Sequence, residues 1–230
     1  MQVRLFRSLE REFVEIVAEG RGGIAADAAT DELFRKFDAE LRAHGLSFDH
    51  CVRVRVWGRD KNARALAAAA RSKLLTGARK AASSSFISSR WFDSDATAGL
   101  ELLAMKPLHH NAERRPVEFE PARNYLCYLC FDSVVFYSGY TSDAETLNDQ
   151  VSDVLKAITS ARAISGGLTH DFAKTGRLSV FLRRDQSVDG VKAIIARETW
   201  IDSQKVDYRL VDGFAGEKYL LEIEATGLAD

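Results

Sequence analysis

Gly45-Leu46-Ser47-Phe48-Asp49 recurs about 120 residues later as Gly167-Leu168-Thr169-His170-Asp171. The surroundings recur with it. Before each copy lies a stretch of helical periodicity, Asp31–His44 and Asp143–Ile164. After each comes an alternating strand-like run, Val52–Trp57 and Arg177–Leu182. A second helical stretch follows, Asn62–Leu75 and Val188–Trp200. Each half then closes on Leu-Glu-Leu or Leu-Glu-Ile-Glu, at Leu100-Glu101-Leu102 and Leu221-Glu222-Ile223-Glu224. The spacing equals one small domain, so 230 residues read as two copies of one unit, each able to bury its own core.

Local signals give each unit the order β-β-α-β-α-β-β. Glu12–Glu19 is short, β-branched and stopped by Gly20. Thr30 is placed to cap the first helix, whose Leu33, Phe34, Phe37 and Leu41 form one apolar stripe. Gly45 stands where a helix-terminating glycine belongs. Val52, Val54 and Val56 face one way and Arg53 and Arg55 the other, which predicts a strand covered on one face only. Asp60 or Asn62 caps the second helix, with Ala63, Leu66, Ala67, Ala70 and Leu74 on its buried side. Ser83–Ser89 and Gly99–Met105 close the first unit. Asn124–Phe131 and Ser133–Ser138 read as a strand pair opening the second, and Leu147, Val151, Val154, Leu155 and Ile158 stripe its helix. Residues 107–121 hold few apolar residues and three prolines, which predicts a linker between units 1–106 and 122–230. Helices on one sheet face leave the other face to be covered by a second sheet, from the other repeat or another subunit.

Bulk composition excludes more than it selects. A net charge of −1 gives no bias toward nucleic acid, membrane or acidic ligands. Three cysteines make no disulfide framework, and the alternating N-terminus lacks a signal peptide's apolar core, so a cytoplasmic protein is expected. No stretch is long and apolar enough for a membrane span. Cys127-x-x-Cys130 has no second ligand pair, and on a strand its thiols point to opposite faces. His44, His50, His109, His110 and His170 have no orienting carboxylate in a triad pattern. No cofactor or metal is expected. Arg53, Arg55, Arg71, Arg79 and Lys80 could form a basic patch, but aromatic residues are not interleaved with them for stacking, so nucleic-acid binding is not expected.

In order, the second repeat's Phe136-Tyr137-Ser138-Gly139-Tyr140-Thr141, Gly167–Asp171, Leu178-Ser179-Val180-Phe181-Leu182 and Glu222-Ile223-Glu224-Ala225 resemble the landmarks of the RidA/YjgF family. The first repeat resembles them more weakly, at Ala18-Glu19-Gly20-Arg21, Gly45–Asp49, Val52–Trp57 and Leu100–Ala104. The resemblance implies an α+β, chorismate-mutase-like fold in tandem, each repeat a mixed sheet with two helices on one face. It implies homotrimers around sheet-lined barrels, here three chains giving two stacked rings, and enamine/imine deaminase activity on a small metabolite. Chorismate-cleaving enzymes resemble the same duplication in a longer chain.

The family's deaminases grip the substrate carboxylate with an arginine on the strand before Glu-Ile-Glu. The matching stretch of the first repeat, Ala81–Phe86, has none. That of the second, Lys205–Arg209, puts Asp207 at the place, with Arg209 in the same strand parity. The resemblance therefore implies a deaminase- or hydrolase-type reaction outside the usual chemistry, on a small carboxylated or carbonyl compound. Glu222 and Arg209 are the catalytic candidates; Ser138, Gly139, Tyr140 and Glu101 are the substrate-binding ones. Each also has a plainer reading: Glu222 as part of a salt-bridged strand face, Arg209 as an exposed strand residue, Ser138–Tyr140 as a turn that needs glycine. The alternative function is a noncatalytic ligand-binding or assembly module.

Overall fold

A computed structural model describes residues 1–109, 111–164, 172 and 176–228. The Gly167–Asp171 copy of the opening motif, with His170, and His110 lie outside the described residues. The first half runs β1 (Gln2–Ser8), β2 (Arg11–Glu19), α1 (Ala26–Ala43), β3 (Cys51–Gly58), α2 (Lys61–Leu74), β4 (Ala82–Ile87) and β5 (Ala98–Lys106). The second runs β6 (Arg114–Glu118), β7 (Leu126–Phe131), β8 (Val134–Tyr137), α3 (Leu147–Ile164), β9 (Arg177–Arg183), α4 (Val188–Ile195), β10 (Val206–Val211) and β11 (Leu221–Leu228).

The sheet orders are β1-β2-β5-β3-β4 and β6-β7-β8-β11-β9-β10. With β6 set aside, the two orders superpose strand for strand. In each, one pair is parallel, β3 with β4 and β9 with β10, and the closing strand lies antiparallel beside the pair. The molecule is an α+β tandem duplication, as its repeated motifs predict.

Leu33, Phe34, Phe37 and Leu41 of α1 pack with Val54, Val56, Leu100 and Leu102 of the first sheet. Val151, Val154, Leu155 and Ile158 of α3 pack with Val180, Leu182 and Ile223 of the second. Several details depart from the sequence reading. Helix α1 begins at Ala26, so Thr30 is not its cap; the hydroxyl donates to the Ala26 carbonyl at 2.7 Å inside the helix. Gly45 does terminate α1, at φ +71°. A β-bulge between Cys51 and Arg53 puts Cys51 with the helices and Val52 with the opposite face, so Val52 leaves the valine row. Helix α4 stops at Ile195 rather than reaching Trp200, its end tightened by i→i+3 bonds from Arg197 and Glu198. Residues 107–121 are not a plain linker, because Arg114–Glu118 forms the edge strand β6, where Pro116 is tolerated opposite Leu129.

The largest correction concerns β3. Every residue of that strand is buried, on both faces. The arginine face meets the second sheet, so the two sheets of one chain face each other. Arg53 donates to the carbonyls of Tyr137 (2.9 Å) and Ala225 (2.8 Å) and to Thr226 Oγ1 (3.0 Å). Arg55 grips Glu224 at 2.7 Å and Glu101 at 2.9 Å, and lies 5.2 Å above the Phe181 ring. Apolar clusters flank this polar centre: Phe13, Val52, Leu129 and Phe136 on one side, and Trp57, Phe86, Phe181 and Phe214 on the other.

Removing one partner from such a pair strands a buried charge. Arg55→Ala is expected to cost about 3–5 kcal/mol in urea unfolding. Arg4→Ala, which breaks the exposed pair with Glu15 and the contact of the guanidinium with the Phe6 ring, is expected to cost only about 1 kcal/mol.

Candidate functional site

Glu222 and Glu224 point from the same face of β11 into the space between the sheets, and their surroundings drive them apart. Glu224 is fully buried; burial opposes its charge, but Arg55 and Arg53 overcome that and hold its carboxyl down to about 2. Glu222 is 7% exposed and has no such partner. Burial, reinforced by the charge on Glu224, pushes its carboxyl up to about 8 against the weaker pull of Ser84, Arg71 and Arg64. Its Oε1 is buried without a hydrogen-bond partner. Glu222 is thus a neutral carboxylic acid near pH 7, two residues from an ionised one, which is the separation that assigns acid and base roles.

Glu222 forms part of the wall of a cleft of about 850 Å³ between the halves. The first half supplies Arg64, Ala65, Ala68 and Arg71 from α2 and Ser83–Ser85 from β4; the second supplies Arg123, Tyr125, Gly139, Tyr219 and Glu222. Gly139 follows β8, and its N–H donates to the Ser83 carbonyl at 3.2 Å. A Cβ there would fall 1.7 Å from Glu222 Oε1, so glycine is required by the close approach of the carboxyl, not by a positive φ.

The residues singled out from sequence fall into two groups. Glu222 and Gly139 share the cleft. Ser138 is fully buried beside it, and its hydroxyl accepts from the Ser83 N–H at 3.1 Å. Tyr140 bridges to Ile223 through backbone bonds, and its hydroxyl donates to the Cys127 carbonyl. Arg209 and Glu101 pair elsewhere, at 3.2 Å, with Arg55 and the Trp91 indole N–H also donating to Glu101. Arg209 does not join Glu222 because β10 lies across from β5: the row Glu222–Phe181–Arg209 of the second sheet matches the row Glu101–Arg55–Ser84 of the first. Ser84 therefore occupies, beside the cleft, the position that Arg209 holds in its own half.

The five cations considered as a patch do not form one. Arg53 and Arg55 lie between the sheets, Arg71 lines the cleft, Arg79 pairs with Asp49, and Lys80 pairs with Glu118. Arg64, Arg123, Tyr125 and Tyr219 were not singled out by sequence. A signal did exist for the first: Arg64 and Arg71 stand seven residues apart on a helix whose intervening positions include Ala65 and Ala68. No described helix is long and apolar enough to cross a membrane.

The duplicated sheets with paired outer helices define a tandem RidA/YjgF-like fold. Its full-length arrangement is similar to that of a solved chorismatase structure, which superposes with a TM-score of 0.61 at 16% identity, covering 99% of this chain and 79% of the other. Single-domain structures of the YjgF/YER057c/UK114 family from Mycobacterium tuberculosis (21% identity, TM-score 0.43) and of the YjgF family from Neisseria meningitidis (20%, 0.43) cover 51% and 53% of this chain, and 100% and 98% of their own. No family model and no curated protein matches the chain.

The opposed shifts of the two glutamates have opposite consequences for stability. Glu222 has a folded pKa above its unfolded value, so between about pH 4.5 and 8 the folded state holds the extra proton and stability falls as pH rises. Glu224 has a depressed one, so its contribution is lost as pH falls from about 4.5 toward 2. Glu222→Gln is expected to remove the first slope, making the variant more stable relative to wild type at pH 8 than at pH 5 in urea titrations.

Proposed function

We propose that the cleft binds a small carboxylated or carbonyl metabolite and that Glu222 acts on it as an acid, in a deaminase- or hydrolase-type reaction. The observation that carries this reading is a neutral, buried carboxyl with a free oxygen in the wall of a cation-lined cleft. Protonation of an imine nitrogen by Glu222 leaves its carboxylate, water adds to the iminium carbon, and the carboxylate takes up the proton that water releases. Glu222 then protonates the nitrogen of the carbinolamine, the C–N bond breaks to release ammonia, and the hydroxyl proton returns to the glutamate as the carbonyl forms. With an ester the same acid protonates the departing alcohol oxygen of the water adduct. Arg64, Arg71 and Arg123 favour an anionic substrate, and Gly139 leaves room for the acid. Glu101 and Arg209, bound to each other, take a structural part in this reading, and the first half serves as one wall of the site.

Assayed against small imines of the 2-aminoacrylate type, wild type should release ammonia, and Glu222→Gln should fall by about 10²–10⁴-fold with its fold intact. Wild type without turnover on imines or small esters would sink the enzyme reading. Saturable ligand binding in that case would support the second reading, a noncatalytic binding module, which the filled Glu101 position of the first half favours.

We further infer a cytoplasmic homotrimer that does not bind nucleic acid. Support comes from the fold type, from three unpaired cysteines, one of them deeply buried, and from the absence of a basic patch among the described residues. Light scattering should give about three times 25.6 kDa; a monomer mass would refute the assembly.

A further inference from the structure

The strand arginine that would hold a substrate carboxylate is missing beside Glu222, since Ser84 takes its place in the row. Two other arginines reach the same cleft from a different element. Arg64 and Arg71 lie two turns apart on α2, roughly 10.5 Å along its axis. Ala65, Ala68 and Ala69 line the cleft beside them with short side chains. Resting on the reading of this cleft as a ligand site, we propose that Arg64 and Arg71 form its carboxylate clamp, moved from strand to helix, and that they orient the ligand's reactive end toward Glu222 and Gly139.

Their bonding separates these two arginines from the others in the interior. Arg53 and Arg55 both meet Glu224, whereas neither Arg64 nor Arg71 meets a carboxylate among the described residues. Arg71 is 8% exposed and donates through Nη1 to the Ser84 carbonyl at 3.0 Å. Arg64 donates through Nη1 to Ser85 Oγ at 3.0 Å, and its Nε is buried with no partner. For Arg71, which is buried, a guanidinium without a counter-charge is costly. Glu222 does not supply one while it is protonated. Planar forks facing an open cleft, with donors to spare, suit a carboxylate, which can accept two parallel N–H bonds. The second half has no equivalent pair: α4, Val188-Asp189-Gly190-Val191-Lys192-Ala193-Ile194-Ile195, carries no arginine, and Arg197 just beyond its end is exposed. The clamp therefore belongs to one of the two repeats only.

The test titrates the full-length chain with benzoate and with benzamide, its uncharged counterpart, followed by NMR or calorimetry. Benzoate should bind saturably and more tightly than benzamide. Arg64→Gln should weaken benzoate about tenfold and leave benzamide unchanged, and Arg64→Lys, which keeps charge but not the fork, should fall between. Arg71→Gln should act like Arg64→Gln if circular dichroism shows it folded; if it does not fold, the Arg64 pair of variants decides. Benzoate binding should also weaken above about pH 8 in wild type, where Glu222 ionises beside the arginines, and not in Glu222→Gln. Equal affinity for benzoate and benzamide, no saturable benzoate binding, or benzoate binding indifferent to Arg64→Gln would overturn the clamp. Arginine-dependent benzoate binding with no turnover of any imine would leave the clamp standing and remove only the enzymatic reading.

Discussion

Two arginines on one strand join this molecule. Arg53 and Arg55 leave the first sheet and end among the carbonyls and carboxylates of the second, where Tyr137, Ala225, Thr226 and Glu224 receive them. Apolar side chains alone could have closed the space between the sheets, but they tolerate sliding. Bonds from a rigid guanidinium to named backbone carbonyls do not, so the polar centre sets the register of one sheet on the other. Every residue of the cleft comes from one half or the other, and their relative placement is inherited from this register.

The same interaction separates the two glutamates. Because Arg53 and Arg55 are committed to Glu224, they do not reach Glu222, and the charge they stabilise on Glu224 helps keep its neighbour protonated. A structural ion pair and a protonated acid with an unbonded oxygen thus share one strand and one face. The duplication makes this division possible. In the first half the matching glutamate, Glu101, is tied up by Arg55, Arg209 and Trp91, whereas in the second Glu222 is left facing open space.

Much of the fold was legible in the sequence because it is written twice in local periodicity. The stripe of α1, the terminating Gly45 and the strand runs all depend on neighbours a few residues away. The arginine face of β3 was legible as a face, but not as an interface. Alternation of valine and arginine says which side is polar; it does not say whether water or a carboxylate lies beyond. The answering acids, Glu101 and Glu224, are 46 and 169 residues downstream of Arg55. β6 was hidden for a related reason, since an edge strand needs only one bonded side and can carry Pro116. Of the cleft, Glu222 and Gly139 were found through their motif positions. Arg123 and Tyr219 carry no local signal at all, because only the docking of the halves brings them to α2.

A site assembled from two copies of a small domain ordinarily exists only while the copies stay together, and dilution takes it apart. Here α2 and β4 come from one copy, the turn after β8 and strand β11 from the other, and both belong to one polypeptide. The meeting of the walls is an intramolecular event, with an effective concentration set by the connecting chain rather than by expression level. Joining the copies also lifts the demand that they be identical. One repeat could give up an acid to an internal bond and lend a helix as a wall, while its twin kept the acid free, a specialisation closed to an assembly of equal subunits.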